Sequence, residues 1–293
     1  MSFSAFLRKL GQVLLWVVPP ILILVAAWFL AEARFPEPAV GIISLDTDIW
    51  AGSADLVQAQ IDAAREDGRI KAVVVYIDSP GGEVVATQSI FLELEALRHE
   101  MPVVGSIETI AASGGYYAAM ATDPIYARPS SDVGNVGVWA LVPSELTIND
   151  VVLTSGPFKL TGSNRDEFLR NIEGIRQEFV ETVFSHRGER MQISRAELSQ
   201  GLLYTGRQAA ELGLIDHIGT QSDAVQAAAE MAGIANYRTE DLELRVWEEQ
   251  YGSLVQAESE EVDWIGAADP MTGERSLPYG VYLLHDVRLR GVP

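Results

Sequence analysis

No cysteine occurs anywhere in the 293 residues, so thiol nucleophiles, disulfides and cysteine-ligated metals are excluded from the start. Histidine is almost as scarce. Its four copies, His99, His186, His217 and His285, stand far apart with no H-E-x-x-H spacing, so no metal site and no cofactor are expected. Lysine occurs three times, at Lys9, Lys71 and Lys159, against eighteen arginines, and the two cations cluster nowhere. A net charge of −20 without a basic patch excludes a phosphate-binding surface, so nucleic acid is not an expected partner. An acidic surface of this kind mainly confers solubility. Apolar side chains make up 48 % of the chain, enough for a full core in one large domain or two small ones.

One uncharged run, Leu10 to Ala31, is long enough as a helix to cross the ~30 Å hydrocarbon layer. Pro19 and Pro20 would kink it, and Trp16 and Trp28 lie toward its ends, where indole prefers the interface. Arg8 and Lys9 precede the run and only Arg34 follows closely, which by the positive-inside rule puts residues 1–9 in the cytoplasm and the bulk of the chain outside. A cleaved signal peptide ending at Ala31-Glu32-Ala33, or a buried soluble helix, are the competing readings. Residues 32–38, EARFPEP, read as a short stiff linker, and the folded domain is expected over 39–238, with a C-terminal extension of unassigned role over 239–293.

Strand and helix patterns alternate at the start of that domain. Val40–Leu45, Ala72–Ile77 and Pro102–Ile107 read as strands, and Ala54–Glu66 and Glu83–Arg98 as helices between them. The β-branched run Ala72–Ile77 has the pattern of a parallel strand covered on both faces, so an α/β fold with a largely parallel sheet is expected. Further on, Asn164–His186 is amphipathic with Phe168, Ile172, Ile175, Phe179 and Val183 as its apolar line. Shorter helices are expected near Ser194–Gln200 and Asp223–Met231, and a strand at Tyr279–His285.

Two turns follow strands and open helices, which in this topology brings them to the same edge of the sheet. The first is Asp78-Ser79-Pro80-Gly81-Gly82; the second is Ala111-Ala112-Ser113-Gly114-Gly115. Ser113 is a lone hydroxyl among small residues that leave room for a peptide backbone. It also stands where free N–H groups would favour the charge of a tetrahedral intermediate. Gly82 N–H and Gly114 N–H could form a two-donor oxyanion hole, with Gly81, Ala112, Val136 and Gly137 as substrate-facing positions. An N-capping serine and a type II turn after Pro80 are the plainer readings of these segments. No histidine lies between His99 and His186 to take the serine's proton. Lys159 stands in the glycine-rich stretch TSGPFKLTGSNR between Phe158 and Leu160, where desolvation would let an amine act as a base and a guanidinium could not. An exposed loop lysine is the alternative.

These motifs, in order and spacing, resemble the signal peptide peptidase A family of membrane-anchored serine proteases within the ClpP/crotonase superfamily. The resemblance covers roughly Ala39 to Gly233. It rests on DSPGG, AASGGYY, Gly134-Asn135-Val136-Gly137-Val138, S-G-x-x-K, the helix ending Phe179–Arg187, and Y-T-G-R-x-A-x-x-x-G-L-I-D from Tyr204 to Asp216. It implies a ClpP/crotonase-like domain of repeated β-β-α type with a largely parallel sheet, preceded by one transmembrane helix. It also implies Ser113 as nucleophile, Lys159 as general base and Gly82 as oxyanion glycine, in an endopeptidase acting on hydrophobic peptides such as residual signal peptides. Homo-oligomers with active sites shared between subunits are a further implication. The chain departs from the family at Asn135, where serine is usual, and over Thr161–Arg165, which replaces a proline-bearing segment. A crotonase-type acyl-CoA enzyme would need neither Ser113 nor Lys159, and a silent membrane scaffold would not retain both.

Overall fold

The computed structural model describes residues 16–23, 37–141 and 153–261. Residues 16–23 form helix α1, exposed throughout. The remainder of the Leu10–Ala31 run and the strand expected at Tyr279–His285 lie outside the described residues. Among the described residues no helix is long and apolar enough to cross a membrane.

From Ala39 the chain alternates as expected: β1 Ala39–Leu45, α2 Ala51–Glu66, β2 Ile70–Ser79, α3 Val84–Arg98, β3 Val103–Ala112 and α4 Gly114–Ala119. Then come β4 Ile125–Ala127, β5 Asp132–Gly134, α5 Arg165–Arg187, α6 Arg195–Leu198, β6 Leu203–Thr205, α7 Gly206–Glu211, β7 His217–Ile218, α8 Gln221–Met231, β8 Arg238–Asp241 and α9 Leu242–Glu261. The sheet runs β6-β5-β3-β2-β1-β8, with β4 beside β3 and β7. Every pairing is parallel except β5 with β6.

Side chains alternate across a strand, so the central run of β2 feeds two cores. Val73, Val75 and Ile77 join the larger one, with Ile61 of α2, Leu94 of α3 and Tyr116 of α4. Ala72 and Val74 join a smaller one on the opposite face, against Ala224 and Ala228 of α8. Helix α5 starts on Asn164, whose side chain accepts the Glu167 N–H, and carries Asp166 and Glu167 in its first turn and His186 and Arg187 in its last. Both arrangements suit the helix dipole. Only Phe179, Val180, Val183 and Arg187 of α5 are buried. Phe168, Ile172 and Ile175 are half-buried, because among the described residues little packs over the first half of the helix.

The folded unit also continues past residue 238. Strand β8 pairs in parallel with β1, Leu242 is fully buried, and the compact unit ends at Val246, with a second unit over Trp247–Pro293. The sequence Arg-Thr-Glu-Asp of β8 has no apolar signal, since an edge strand joins the sheet through its backbone.

The Gly-Leu-Ile-Asp segment, silent for acid–base chemistry in the sequence, is a brace. Arg187 is 1 % exposed, and its guanidinium grips both Asp216 oxygens at 2.8 and 2.9 Å while Nε donates to Gly213 O. Asp216 also accepts the Ile125 N–H at 2.8 Å, and the buried Tyr116 hydroxyl donates to Leu214 O at 2.8 Å. The helix after Ser113 is thereby tied to the far end of the chain. Burial pushes the Asp216 carboxyl up, but the Arg187 hydrogen bonds and charge outweigh it and hold the group below its ordinary 3.8. A depressed carboxylate contributes stability that is complete above its unfolded pKa and is lost as pH falls through the folded one. The protein should therefore lose stability below about pH 3.8. Asp216→Asn should cost about 3 kcal/mol and flatten that acid limb, because it leaves a buried guanidinium without its counter-ion. Urea unfolding of both proteins at pH 7 and pH 3 measures this, and equal stabilities at pH 7 would refute it.

Candidate active site

Ser113 alone makes the turn from β3 into α4, with φ 50° and ψ −119°. The strand was expected to stop at Ile107 but runs to Ala112, since Ala111 pairs with Ser79 of β2 and Ile110–Ala112 pair with β5. A serine at positive φ costs of order 1–3 kcal/mol and persists only where its surroundings impose it. Here the Ser113 N–H donates to Gly134 O at 2.9 Å, and Ser113 O accepts the Tyr117 N–H at 2.9 Å. The residue pins the strand end on one side and the helix start on the other.

The Ser-Pro-Gly-Gly turn lies directly against it. Gly81 has φ 96°, and a Cβ there would come 2.5 Å from Gly114 N and 2.9 Å from Ser113 Cβ. Any side chain at 81 would therefore displace the serine. A Cβ at Gly82 would meet Ile49 O at 1.9 Å, because Ile49 bridges the turn through Ile49 N–H to Gly81 O and Glu83 N–H to Ile49 O. A Cβ at Gly114 would lie 3.3 Å from Gly82 N, so the two glycines stand side by side. Both line one cleft with Ser113. Its walls are Val84 of α3, Tyr117 of α4, Val138, and Ile175 and Phe179 of α5. Phe91 and Phe179 hold the Tyr117 ring edge-on from either side, each at 5.0 Å between centroids. The rim carries Gln88 and Glu178, joined by a 2.9 Å hydrogen bond.

A hydroxyl on a strained strand-to-helix turn, beside two glycine amides in an apolar cleft, is the arrangement of an acyl-transfer nucleophile. The family model for Peptidase family S49 matches residues 95–235, and the model for Clp protease matches residues 39–133. Residues 95–235 are thus similar to peptidase family S49. A Synechocystis sp. protein whose name assigns it provisionally to the proteases is 36 % identical over 184 residues, 58 % of this chain and 66 % of its own. Serine protease SPPA, chloroplastic, from Arabidopsis thaliana is 29 % identical over 200 residues, 62 % of this chain and 30 % of its own. Protease 4 from Salmonella typhi is 31 % identical over 197 residues, 62 % of this chain and 32 % of its own. The chain thus spans less than two thirds of the length of these relatives.

Four residues singled out by sequence, Ser113, Gly82, Gly114 and Gly137, meet in the cleft, and Gly81 packs against the serine. Ala112 and Val136 are buried, 4 % and 0 % exposed, and do not line it. Asn135 sits at φ 53°, a region asparagine tolerates better than most residues, with its N–H on Leu202 O and its side-chain amide on Gly201 O. Lys159 is exposed, outside the cleft, and its neighbours Phe158 and Leu160 are 46 % and 52 % exposed, so the described residues do not desolvate it. Tyr117, the last residue of the AASGGYY motif, also lines the cleft, as do Thr87, Gln88 and Glu178, which lie in no motif quoted from the sequence. Only the helical spacing of α3 and α5 could have pointed to that wall.

Proposed function

We propose that the chain is a membrane-anchored serine endopeptidase with Ser113 as nucleophile, Lys159 as general base and the Gly82 and Gly114 N–H groups as oxyanion donors. The observation that carries the reading is the strained Ser113 turn, set against Gly81 and opening between Gly82 and Gly114. In this mechanism Ser113 Oγ attacks the scissile carbonyl carbon as its proton passes to the Lys159 amine. The carbonyl oxygen takes up negative charge between the two amides. Collapse breaks the C–N bond, lysine returns the proton to the leaving amine, and water then releases the acid from the serine ester by the same route.

The exposed position of Lys159 supports a base supplied by a neighbouring copy. Trp139, Leu141 and Leu153 are 80 %, 84 % and 92 % exposed, large apolar side chains of the kind that a second copy would cover. Such a contact would also dry the lysine. The cleft walls Val84, Val138, Ile175 and Phe179 suit extended, hydrophobic peptides, residual signal peptides among them. Folded proteins would be poor substrates. The uncharged run Leu10–Ala31 serves in this reading as an anchor, with residues 1–9 cytoplasmic and the Ser113 domain on the outer side.

A membrane-impermeant fluorophosphonate applied to spheroplasts tests both parts. Labelling at Ser113 and nowhere else in the chain is expected. Labelling only after lysis would overturn the orientation, and none after lysis would remove Ser113 as the nucleophile.

A further inference from the structure

Among the described residues, the side chain of Thr87 carries the one buried polar atom without a hydrogen-bond partner. Thr87 lies in the first turns of α3, is 4 % exposed, and lines the cleft beside Gly82, Ser113 and Gly114. Its Oγ1 faces Gly114: a Cβ built on that glycine would come 2.5 Å from Oγ1 and 3.3 Å from Gly82 N. The hydroxyl and the Gly82 amide therefore flank the same edge of Gly114. A threonine inside a helix can satisfy its hydroxyl on the carbonyl four residues back. Here the Glu83 carbonyl takes the Thr87 backbone N–H, and the hydroxyl has no acceptor there.

Burying a hydroxyl without a partner costs about 1–3 kcal/mol, and valine would fill the same space without that penalty. A stability cost confined to the wall of the nucleophile's cleft calls for a partner that arrives with the substrate. We infer that the Thr87 hydroxyl is a third donor for the oxygen held between the Gly82 and Gly114 N–H groups. Its hydrogen is free to turn toward that oxygen, because none of the described residues fixes it. In the empty cleft the group is idle; as the carbonyl oxygen becomes an oxyanion, a hydroxyl in this dry corner gains an acceptor bearing full charge. No bond is made or broken at Thr87, and its proton stays on Oγ1. The inference rests on Ser113 being the nucleophile.

The test compares wild type, Thr87→Val, Thr87→Ser and Ser113→Ala, each as the full chain, by melting temperature and by kcat and KM on an apolar peptide. The two readouts should move in opposite directions for Thr87→Val. Its melting temperature rises, because the unpaired hydroxyl is gone, while kcat falls roughly tenfold to a hundredfold with KM little changed. Thr87→Ser keeps the donor and should recover most of that kcat. A Thr87→Val protein that is stabilised and fully active would show the hydroxyl to be an unused defect of packing. A destabilised one would show that the hydroxyl has a structural partner, and either result overturns the inference. If Ser113→Ala retains wild-type turnover, the nucleophile assignment falls and the third donor falls with it. Failure of the nucleophile assignment is thus read from an active Ser113→Ala control, and failure of the third donor alone from a fully active Thr87→Val beside an inactive Ser113→Ala.

Discussion

Ser113→Ala is expected to lower peptide hydrolysis by about 10^4-fold or more, and Lys159→Arg to lower it as far, with the fold of both variants unchanged. The serine substitution removes only Oγ from a turn whose shape is set by backbone hydrogen bonds to Gly134 O and from Tyr117 N–H. The arginine substitution keeps the positive charge and most of the length on a residue that is exposed in the single chain. It cannot act as a base, because a guanidinium does not give up its proton under working conditions and so cannot receive one from serine. Steady-state hydrolysis of an apolar fluorogenic peptide, with circular dichroism as the folding control, measures both. Substantial turnover by Lys159→Arg would eliminate the lysine as base whatever the serine variant shows. Loss in both, with fluorophosphonate labelling of Ser113 also weakened in Lys159→Arg, is the expected pattern, since the probe needs the same activated oxygen.

Mixing two dead chains should restore activity. If each Ser113 draws its base from a neighbouring copy, Ser113→Ala and Lys159→Ala subunits assembled at random in equal amounts place a working serine in half the sites. A working lysine then lies across the contact in half of those, so about a quarter of wild-type activity should return. The basis is geometric. Ser113 opens into a cleft walled by α3, α4 and α5, whereas Lys159 lies on an exposed segment beside uncovered apolar side chains. A copy docking on that apolar surface would exclude water there and favour the neutral amine. Mixed particles, shown by differential tagging to contain both variants, are assayed against each variant alone. No recovered activity in such particles would place serine and lysine in the same chain and leave the dyad intact.

Much of this site was legible in the linear sequence, because the chemistry demanded residue types that few other roles require at that spacing. Strand runs of β-branched residues, each ending in small residues and glycine, determined by themselves that the Ser79–Gly82 and Ala111–Gly115 turns open helices at one sheet edge. That juxtaposition follows from the handedness and parallel pairing of β-α-β units, which local pattern is enough to specify. The absence of cysteine, clustered histidine and clustered lysine likewise excluded whole classes of chemistry without any coordinates. Other features depended on contacts between segments far apart in the chain. The grip of Arg187 on Asp216 and the tie from Tyr116 to Leu214 join distant stretches whose letters carry no mark of partnership. Strand β8 entered the sheet through backbone hydrogen bonds that its polar side chains conceal. The clash that keeps residue 82 a glycine comes from Ile49, more than thirty positions earlier. Thr87 reads in sequence as an ordinary helical threonine. Only tertiary packing of α3 against Gly114 decided that its hydroxyl is buried without a partner at the wall of the cleft, because burial and hydrogen-bond satisfaction are properties of a neighbourhood and not of a residue.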